Sequence, residues 1–327
     1  MIIVTGAAGF IGSNIVAELQ DAGRGPIAVI DWFGEENKWR NLVKRNIAAF
    51  VAPEQTLSFL DNNATKIESI IHMGAITATT EKNVDLLVER NINYSVMLWD
   101  WCTQHKVPFI YASSAATYGA LESLLKDDDS IEALSKLRPL NPYGWSKNAT
   151  DLIFAQRIAD GKTPPQWVGL KFFNVYGPNE YHKGDMRSVI TKFYDDIQTW
   201  GAVKLFKSDR PDIEDGQQKR DFVYVKDCSQ AVLWFVDHPA VSGIFNMGTG
   251  NARSFIDLVK AMEKTIGKPV EISFKDMPEE LKSRYQYYTE ADMGKARSAG
   301  LNVSFRSLEA GITDYIENYL SNPDSYR

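Results

Sequence analysis

Through its first half the chain alternates short, unbroken apolar runs with longer stretches in which apolar residues recur every three or four positions. MIIVTG (1–6), IAVID (27–31), SIIHMGA (69–75) and PFIYASS (108–114) are apolar runs of strand length. The stretches 11–22 and 91–105 carry helical periodicity, and WVGLKFFNVYG (167–177) adds a further strand running into a loop. Buried strands alternating with amphipathic helices predict an α/β fold: a doubly wound parallel sheet with helices on both faces. Beyond about residue 179 the texture becomes irregular. Residues 208–221 read as a polar loop, PVEISF (269–274) as a strand, and 254–266, 290–299 and 307–320 as helical segments. RDFVYVKDCSQAVLWF reads as a strand followed by a helix, so the chain is expected to return to the first sheet over about 220–247. The predicted division is therefore 1–177, with that return segment, and a smaller C-terminal α/β part formed mainly by 178–327.

Composition narrows the class of protein. With 327 residues, 44% of them hydrophobic and 24% charged, the chain can build a sizeable core without disulfides or metal. A net charge of −6 argues against a nucleic-acid binder. Cys102 and Cys228 lie in apolar helical stretches and read as buried free thiols of a reducing compartment. The four histidines are scattered, and no metal site is expected. No apolar run is long enough to span a membrane, and the first strand begins where a signal peptide would lie, so a cytoplasmic location is expected.

The chemistry begins at GAAGFIG (6–12), between a strand and a helix. Gly6 permits the tight turn, Gly9 lets backbone approach a pyrophosphate, and Gly12 allows close helix–strand packing. The helix N-terminus presents N–H groups to the anion. This context makes the turn a dinucleotide site. Asp31, at the end of the second strand, suits an adenosine ribose hydroxyl and by itself favours NAD. Lys38 and Arg40 come soon after it; each is either a cation that offsets repulsion of a 2′-phosphate or a solvated loop charge.

YGWSK (143–147) puts Tyr143 and Lys147 on one helical face at i and i+4. An ammonium beside a phenol, with a cationic nicotinamide near, favours phenolate and makes the tyrosine a proton acceptor. Ser114 stands where an apolar strand runs out, the edge that faces ligand in an open α/β sheet.

With these motifs the chain resembles the extended short-chain dehydrogenase/reductase family, of which the NAD-dependent epimerases and dehydratases are part. The glycine turn, SSAATYG, YGWSK and FNVYGP (173–178) carry the resemblance over nearly the full length. It implies a Rossmann-type first domain, one tightly bound nicotinamide cofactor per subunit, a C-terminal part gripping a nucleotide-sugar, and a homo-oligomer. FNVYGPNEYHKGDMRSV, KRDFVYVKD (219–227), GIFNMGTG (243–250) and SRYQYYTEAD (283–292) resemble the branch that epimerises ADP-linked heptoses at C6″. That resemblance implies Tyr143 and Lys183 as the two acid/base groups, assisted by Ser114 and Lys147. It implies NADP as the cofactor, with NAD the alternative, lined by Gly6, Gly9, Phe10, Ile11, Gly12, Asp31, Trp32, Lys38, Met73, Gly74, Ala75, Ile76, Thr77, Asn91, Lys147, Val175 and Lys183. It further implies an ADP-sugar lined by Asn174, Asp185, Lys192, Phe206, Ser208, Arg220 and Tyr285. A guanidinium at Arg220 suits a diphosphate. The chain departs from the family pattern at Ala7, Trp32, Pro53, Asp185 and Lys192, and its 211–218 segment is longer. The rival readings are a UDP-hexose 4-epimerase, which has no need of Lys183, and a 4,6-dehydratase, which places an acid pair where Ala115 and Ala116 stand. A third is a silent nucleotide-sensing scaffold, which would lose the tyrosine or lysine.

Overall fold

The computed structural model describes every residue except Glu36, Ser283 and Arg284. Seven parallel strands form the central sheet: β1 (Ile2–Thr5), β2 (Ile27–Ile30), β3 (Ala49–Val51), β4 (Ser69–His72), β5 (Phe109–Ser114), β6 (Trp167–Phe172) and β7 (Gly243–Met247). Their spatial order is β7-β6-β5-β4-β1-β2-β3. The order reverses at β1, which is flanked by β4 and β2, and ligands of open α/β sheets bind at such a switch point. β1, β2 and β4 are buried along their whole length, as parallel strands covered on both faces must be.

Two helical layers cover the sheet. On one face α1 (Phe10–Asp21) packs beside Val225–Asp237 through Ile15, Leu19, Val232 and Phe235. On the other, α2 (Tyr94–His105) and α3 (Pro142–Ala159) meet where Trp99 stacks on Phe154 at 4.2 Å. Cys102 and Cys228 are buried free thiols. A separate apolar cluster holds the C-terminal elements together. Here Ala202–Phe206 pairs in parallel with Glu271–Lys275, beside helices Val189–Trp200, Phe255–Ile266 and Leu308–Tyr315. Among the described residues no helix is long and apolar enough to cross a membrane.

Several boundaries differ from the sequence reading. The apolar run 167–177 is two strands. β6 ends at Phe172, and Asn174–Tyr176 turns away to pair with Phe222–Tyr224. The strand expected to reach residue 75 stops at His72, because Gly74 must pass close to Gly6. The helix expected over 290–299 is confined to Gly294–Ser298, since Glu290–Ala291 is used in a strand pair with Leu124–Leu125.

One charged pair lies inside the sheet–helix layer. Lys171 of β6 and Asp151 of α3 meet at 2.7 Å with both side chains shielded from water. Asp151 also accepts from the Tyr111 hydroxyl at 3.0 Å and from Ser113 Oγ at 2.7 Å. Removing one partner of such a pair strands the other charge in a dry interior. Lys171→Met should therefore lower unfolding free energy by about 3–5 kcal/mol, read from denaturant midpoints. A loss no larger than that of an exposed lysine would show that the pair carries no such constraint.

Candidate functional site

At the C-terminal edge of the sheet a cavity of about 430 Å³ opens between the β1 and β4 ends. Its floor is the glycine turn. Gly6 has φ +63, and a Cβ there would lie 2.6 Å from Gly74 Cα. A Cβ on Gly12 would lie 2.1 Å from the Gly6 carbonyl oxygen. No side chain fits at either place, so backbone alone lines the turn, and α1 begins at Phe10 with its free N–H groups at the cavity. Asp31 sits just past β2. Its Oδ2 accepts from the Ala8 N–H at 2.8 Å, and its Oδ1 pairs with Lys38 Nζ at 2.5 Å. Arg40 is exposed, lying over Trp39 instead of in the cavity.

Of the residues expected to hold a cofactor, Gly6, Gly9, Phe10, Ile11, Gly12, Asp31, Trp32, Lys38, Met73, Gly74, Ala75, Ile76, Thr77, Lys147 and Lys183 line this cavity. Asn91 and Val175 do not. Asn91 is buried and grips the loop from behind. Its carboxamide accepts from Ile76 N–H at 2.8 Å and donates to the Ile76 carbonyl at 3.0 Å and to Ser146 Oγ at 3.0 Å. Val175 packs against the apolar core. Residues the sequence reading passed over include Arg90, Tyr94, His182 and Met186.

Tyr143 joins this cavity to a second one of about 230 Å³, which it lines with Ser114, Asn174, Gln286 and Thr289. Asn141 caps α3 by accepting from the Gly144 N–H at 2.8 Å, which fixes the turn that carries Tyr143. Lys147 donates to the Ala112 carbonyl at 2.8 Å and is nearly closed to water. Burial pushes its ammonium down to about 8, against a smaller upward pull from Asp151. Burial also raises the Tyr143 phenol, with a smaller lowering by Ser114. The sequence reading expects phenolate where the Lys147 ammonium and a cationic nicotinamide act together. With protein groups alone, burial raises the phenol.

Lys183 lies on the turn Tyr181–Met186, its ammonium 5.5 Å from the Phe10 ring centre. Burial lowers its pKa, opposed by the charge of Glu180. Its neighbour His182 is pushed down to about 4 by burial and by the charges of Lys38 and Lys183. This turn is firmly tied. Buried Glu180 accepts from Ser188 N–H, from Ser188 Oγ at 2.7 Å and from Thr191 Oγ1 at 2.7 Å. Asn14 of α1 donates to the Pro178 carbonyl at 2.9 Å, and Asn179 donates to Ser13 Oγ at 3.0 Å.

The remaining expected residues form two groups. Arg220 is buried, with its guanidinium 5.0 Å from the Tyr285 ring, and Phe206 meets Tyr285 edge-on at 6.4 Å. Ser208 is engaged elsewhere: its N–H donates to Asp215 at 2.7 Å and its hydroxyl to the Arg210 carbonyl at 3.1 Å. Asp185 and Lys192 bond to each other, ammonium to carbonyl at 2.5 Å, and, like Phe206, Ser208, Arg220 and Tyr285, line neither cavity.

A doubly wound sheet with a glycine turn at its switch point and a tyrosine–lysine helix facing the same cavity defines a Rossmann-class enzyme acting through a bound dinucleotide. A sequence model of the NAD dependent epimerase/dehydratase family matches residues 2–248, and the chain belongs to that family. An ADP-L-glycero-D-manno-heptose-6-epimerase of Nitratidesulfovibrio vulgaris is 45% identical over 329 residues, covering 100% of both chains. The solved Helicobacter pylori ADP-L-glycero-D-manno-heptose-6-epimerase superposes with a TM-score of 0.78 at 26% identity, covering 97% of this chain and 95% of that one. MoeE5, solved in complex with UDP-glucose and NAD, gives a TM-score of 0.73 at 25% identity, with 97% of each chain covered. The family implies a nicotinamide cofactor. The side-chain-free cradle at Gly6 and Gly12, ending on a helix N-terminus, fits its diphosphate.

The depressed Lys147 makes a measurable signature. An NMR titration of its Cε resonance in the free protein should have its midpoint near 8. The unfolded chain, with a lysine pKa of about 10.4, then binds more protons than the native one between these values. The cost of burying this ammonium is thus fully present below pH 8 and is relieved as pH rises toward about 10.4. Lys147→Met should remove that upward slope in stability, and a midpoint near the usual lysine value would show the ammonium to be solvated.

Proposed function

We propose that this enzyme interconverts the C6″ epimers of ADP-glycero-D-manno-heptose, with Tyr143 and Lys183 as separate proton-transfer groups and NADP as the preferred cofactor. The observation that carries the reading is that both side chains line the cavity of the glycine turn and both are shifted toward their neutral forms by burial. A neutral phenol donates a proton, and a neutral amine accepts one. Inversion at a carbinol carbon needs both abilities, since the C6″ oxygen loses its proton on oxidation and regains one when reduced from the other face. A bound nicotinamide supplies a reversible hydride acceptor for that exchange. Lys147 holds the Ala112 carbonyl and keeps positive charge at the phenol, assisting whenever Tyr143 must take a proton.

The same reading gives the remaining residues their roles. Asn174, with Ser114, lines the sugar end. Arg220 receives the diphosphate, and Phe206 and Tyr285 offer aromatic faces to the adenine. Names of full-length relatives at 45% identity support the ADP-heptose substrate. The solved 4-epimerases at 21% and 24% identity share the fold, and that reading leaves the half-buried Lys183 idle. The enzyme is expected to act as a homo-oligomer in the cytoplasm.

The test supplies purified protein with each C6″ epimer of ADP-mannoheptose and follows interconversion by NMR. Tyr143→Phe and Lys183→Met should each slow it by about 10²–10⁴-fold while ADP-sugar binding persists. Interconversion by Lys183→Met at the wild-type rate would refute the two-group mechanism. Inversion of a UDP-hexose with both heptoses left unchanged would refute the substrate.

For the cofactor, Lys38 neutralises Asp31 at 2.5 Å. Lys38→Ala should expose that carboxylate and weaken NADP more than NAD in binding titrations. An equal change for the two would remove the physical basis of the preference.

A further inference from the structure

Beyond Asp31 the cavity wall is built by Trp32, Lys38, Pro53 and Arg90. Two cations and three carboxylates stand in this corner, and most of them are already engaged. Lys38 Nζ bonds to Asp31 Oδ1 at 2.5 Å and to the Trp32 carbonyl at 2.8 Å. It balances the Asp31 charge, and two of its three N–H donors are committed to these bonds. Glu54 accepts from the Trp32 indole N–H at 2.9 Å. Arg90 is different. Its guanidinium lies 4.2 Å from the Trp32 ring centre. Its ion-pair contact with Glu89 is 3.3 Å long, and the Glu89 side chain is 63% exposed. Such a pair is held loosely and is screened by solvent. A guanidinium stacked on an indole keeps its N–H edge available for an oxyanion while the ring restricts its motion.

We infer that Arg90 is the specificity-determining residue for the cofactor: it takes the 2′-phosphate of NADP from the Trp32 platform, while Lys38 serves to silence Asp31. The inference rests on the proposed NADP preference and assigns it to a residue 58 positions away from Trp32 in sequence (90 − 32). It separates two effects that a simple count of positive charges would merge. Loss of Lys38 acts through Asp31, so neutralising Asp31 should repair it. Loss of Arg90 removes a direct phosphate contact, so neutralising Asp31 should not.

Isothermal titration of nucleotide-free protein with NADP and NAD tests this without reference to turnover. Arg90→Met keeps an apolar stem over the indole and removes the charge. It should weaken NADP by about ten- to a hundredfold, the scale of a charge-assisted hydrogen bond, and leave NAD within about threefold. Arg90→Lys, with charge but no fork, should fall between Met and wild type. Asp31→Asn should restore NADP binding to Lys38→Ala but not to Arg90→Met. Equal weakening of both nucleotides by Arg90→Met, unchanged NADP affinity, or rescue by Asp31→Asn would each overturn the inference. A wild-type protein that binds NAD more tightly than NADP would overturn the cofactor reading itself, and that result is read before any variant is made. Thermal melts of each variant with no nucleotide added establish that the fold is intact.

Discussion

The Asp151 carboxylate is closed to water and accepts from three side chains on two strands: Lys171 of β6, and Tyr111 and Ser113 of β5. It belongs to α3, one turn beyond Lys147 and two beyond Tyr143. Apolar packing alone would let a helix settle at several rotations against a sheet, because it is non-directional. A buried carboxylate with three fixed donors tolerates far fewer. Lys171 extends the constraint by donating to Thr117 at 2.7 Å, in the turn just after Ser114. Three residues of the site, Ser114, Tyr143 and Lys147, are thereby referenced to one charge pair. Replacing such a pair by apolar residues is often neutral or favourable for stability. What this pair contributes here is direction, and the site depends on that more than on a gain in stability.

Desolvation governs the chemistry that this frame presents. It raises Tyr143, lowers Lys147 and lowers Lys183, and it is the largest cause in each case. The directions are opposite for acid and base, but the outcome is the same: each group moves toward its uncharged form. Both Tyr143 and Lys183 face one cavity, so the burial that favours a phenol donor there also favours an amine acceptor. The arrangement also explains why Lys147 alone does not yield phenolate. With a pKa of about 8 its ammonium stays largely charged at neutral pH, but the phenol is raised by its own burial, so a further positive charge beside the ring is needed to shift the tyrosine.

Features set by neighbours in sequence were legible before the structure. The glycine turn, the strand–helix alternation and the Tyr143–Lys147 spacing depend on local geometry, where sequence periodicity and structure coincide. The end of β6 was not legible. The run 167–177 carries apolar residues on both sides of Phe173, and the change there comes from exchange of partners: Phe173 N–H still donates to Met247, whereas Asn174 N–H donates to Asp221. Asn91, which the family resemblance assigns to the cofactor, bonds the backbone of Ile76, a residue that lines the cavity. Arg90, its neighbour, faces the cavity instead. Its stacking on Trp32 joins residues on different elements, which no local pattern encodes. Glu180 in sequence is one more loop acid; only the fold shows it buried among hydroxyl donors.

The placement of Lys183 depends on those long-range polar contacts. Its turn lies after the chain has left the central sheet, where the C-terminal elements form their own apolar cluster. Apolar packing in that cluster could not by itself position an amine over the cofactor cavity. The link is made by amides: Asn14 on α1 to Pro178, Asn179 to Ser13, and Asn41 to the Asn179 carbonyl at 3.1 Å. Asn179 adopts φ +74, a backbone conformation that asparagine tolerates better than most residues. α1 is also the helix whose N-terminus faces the glycine-turn cavity. The turn that carries Lys183 is therefore tied to that helix, and a shift of one relative to the other would have to break buried hydrogen bonds with no water to replace them.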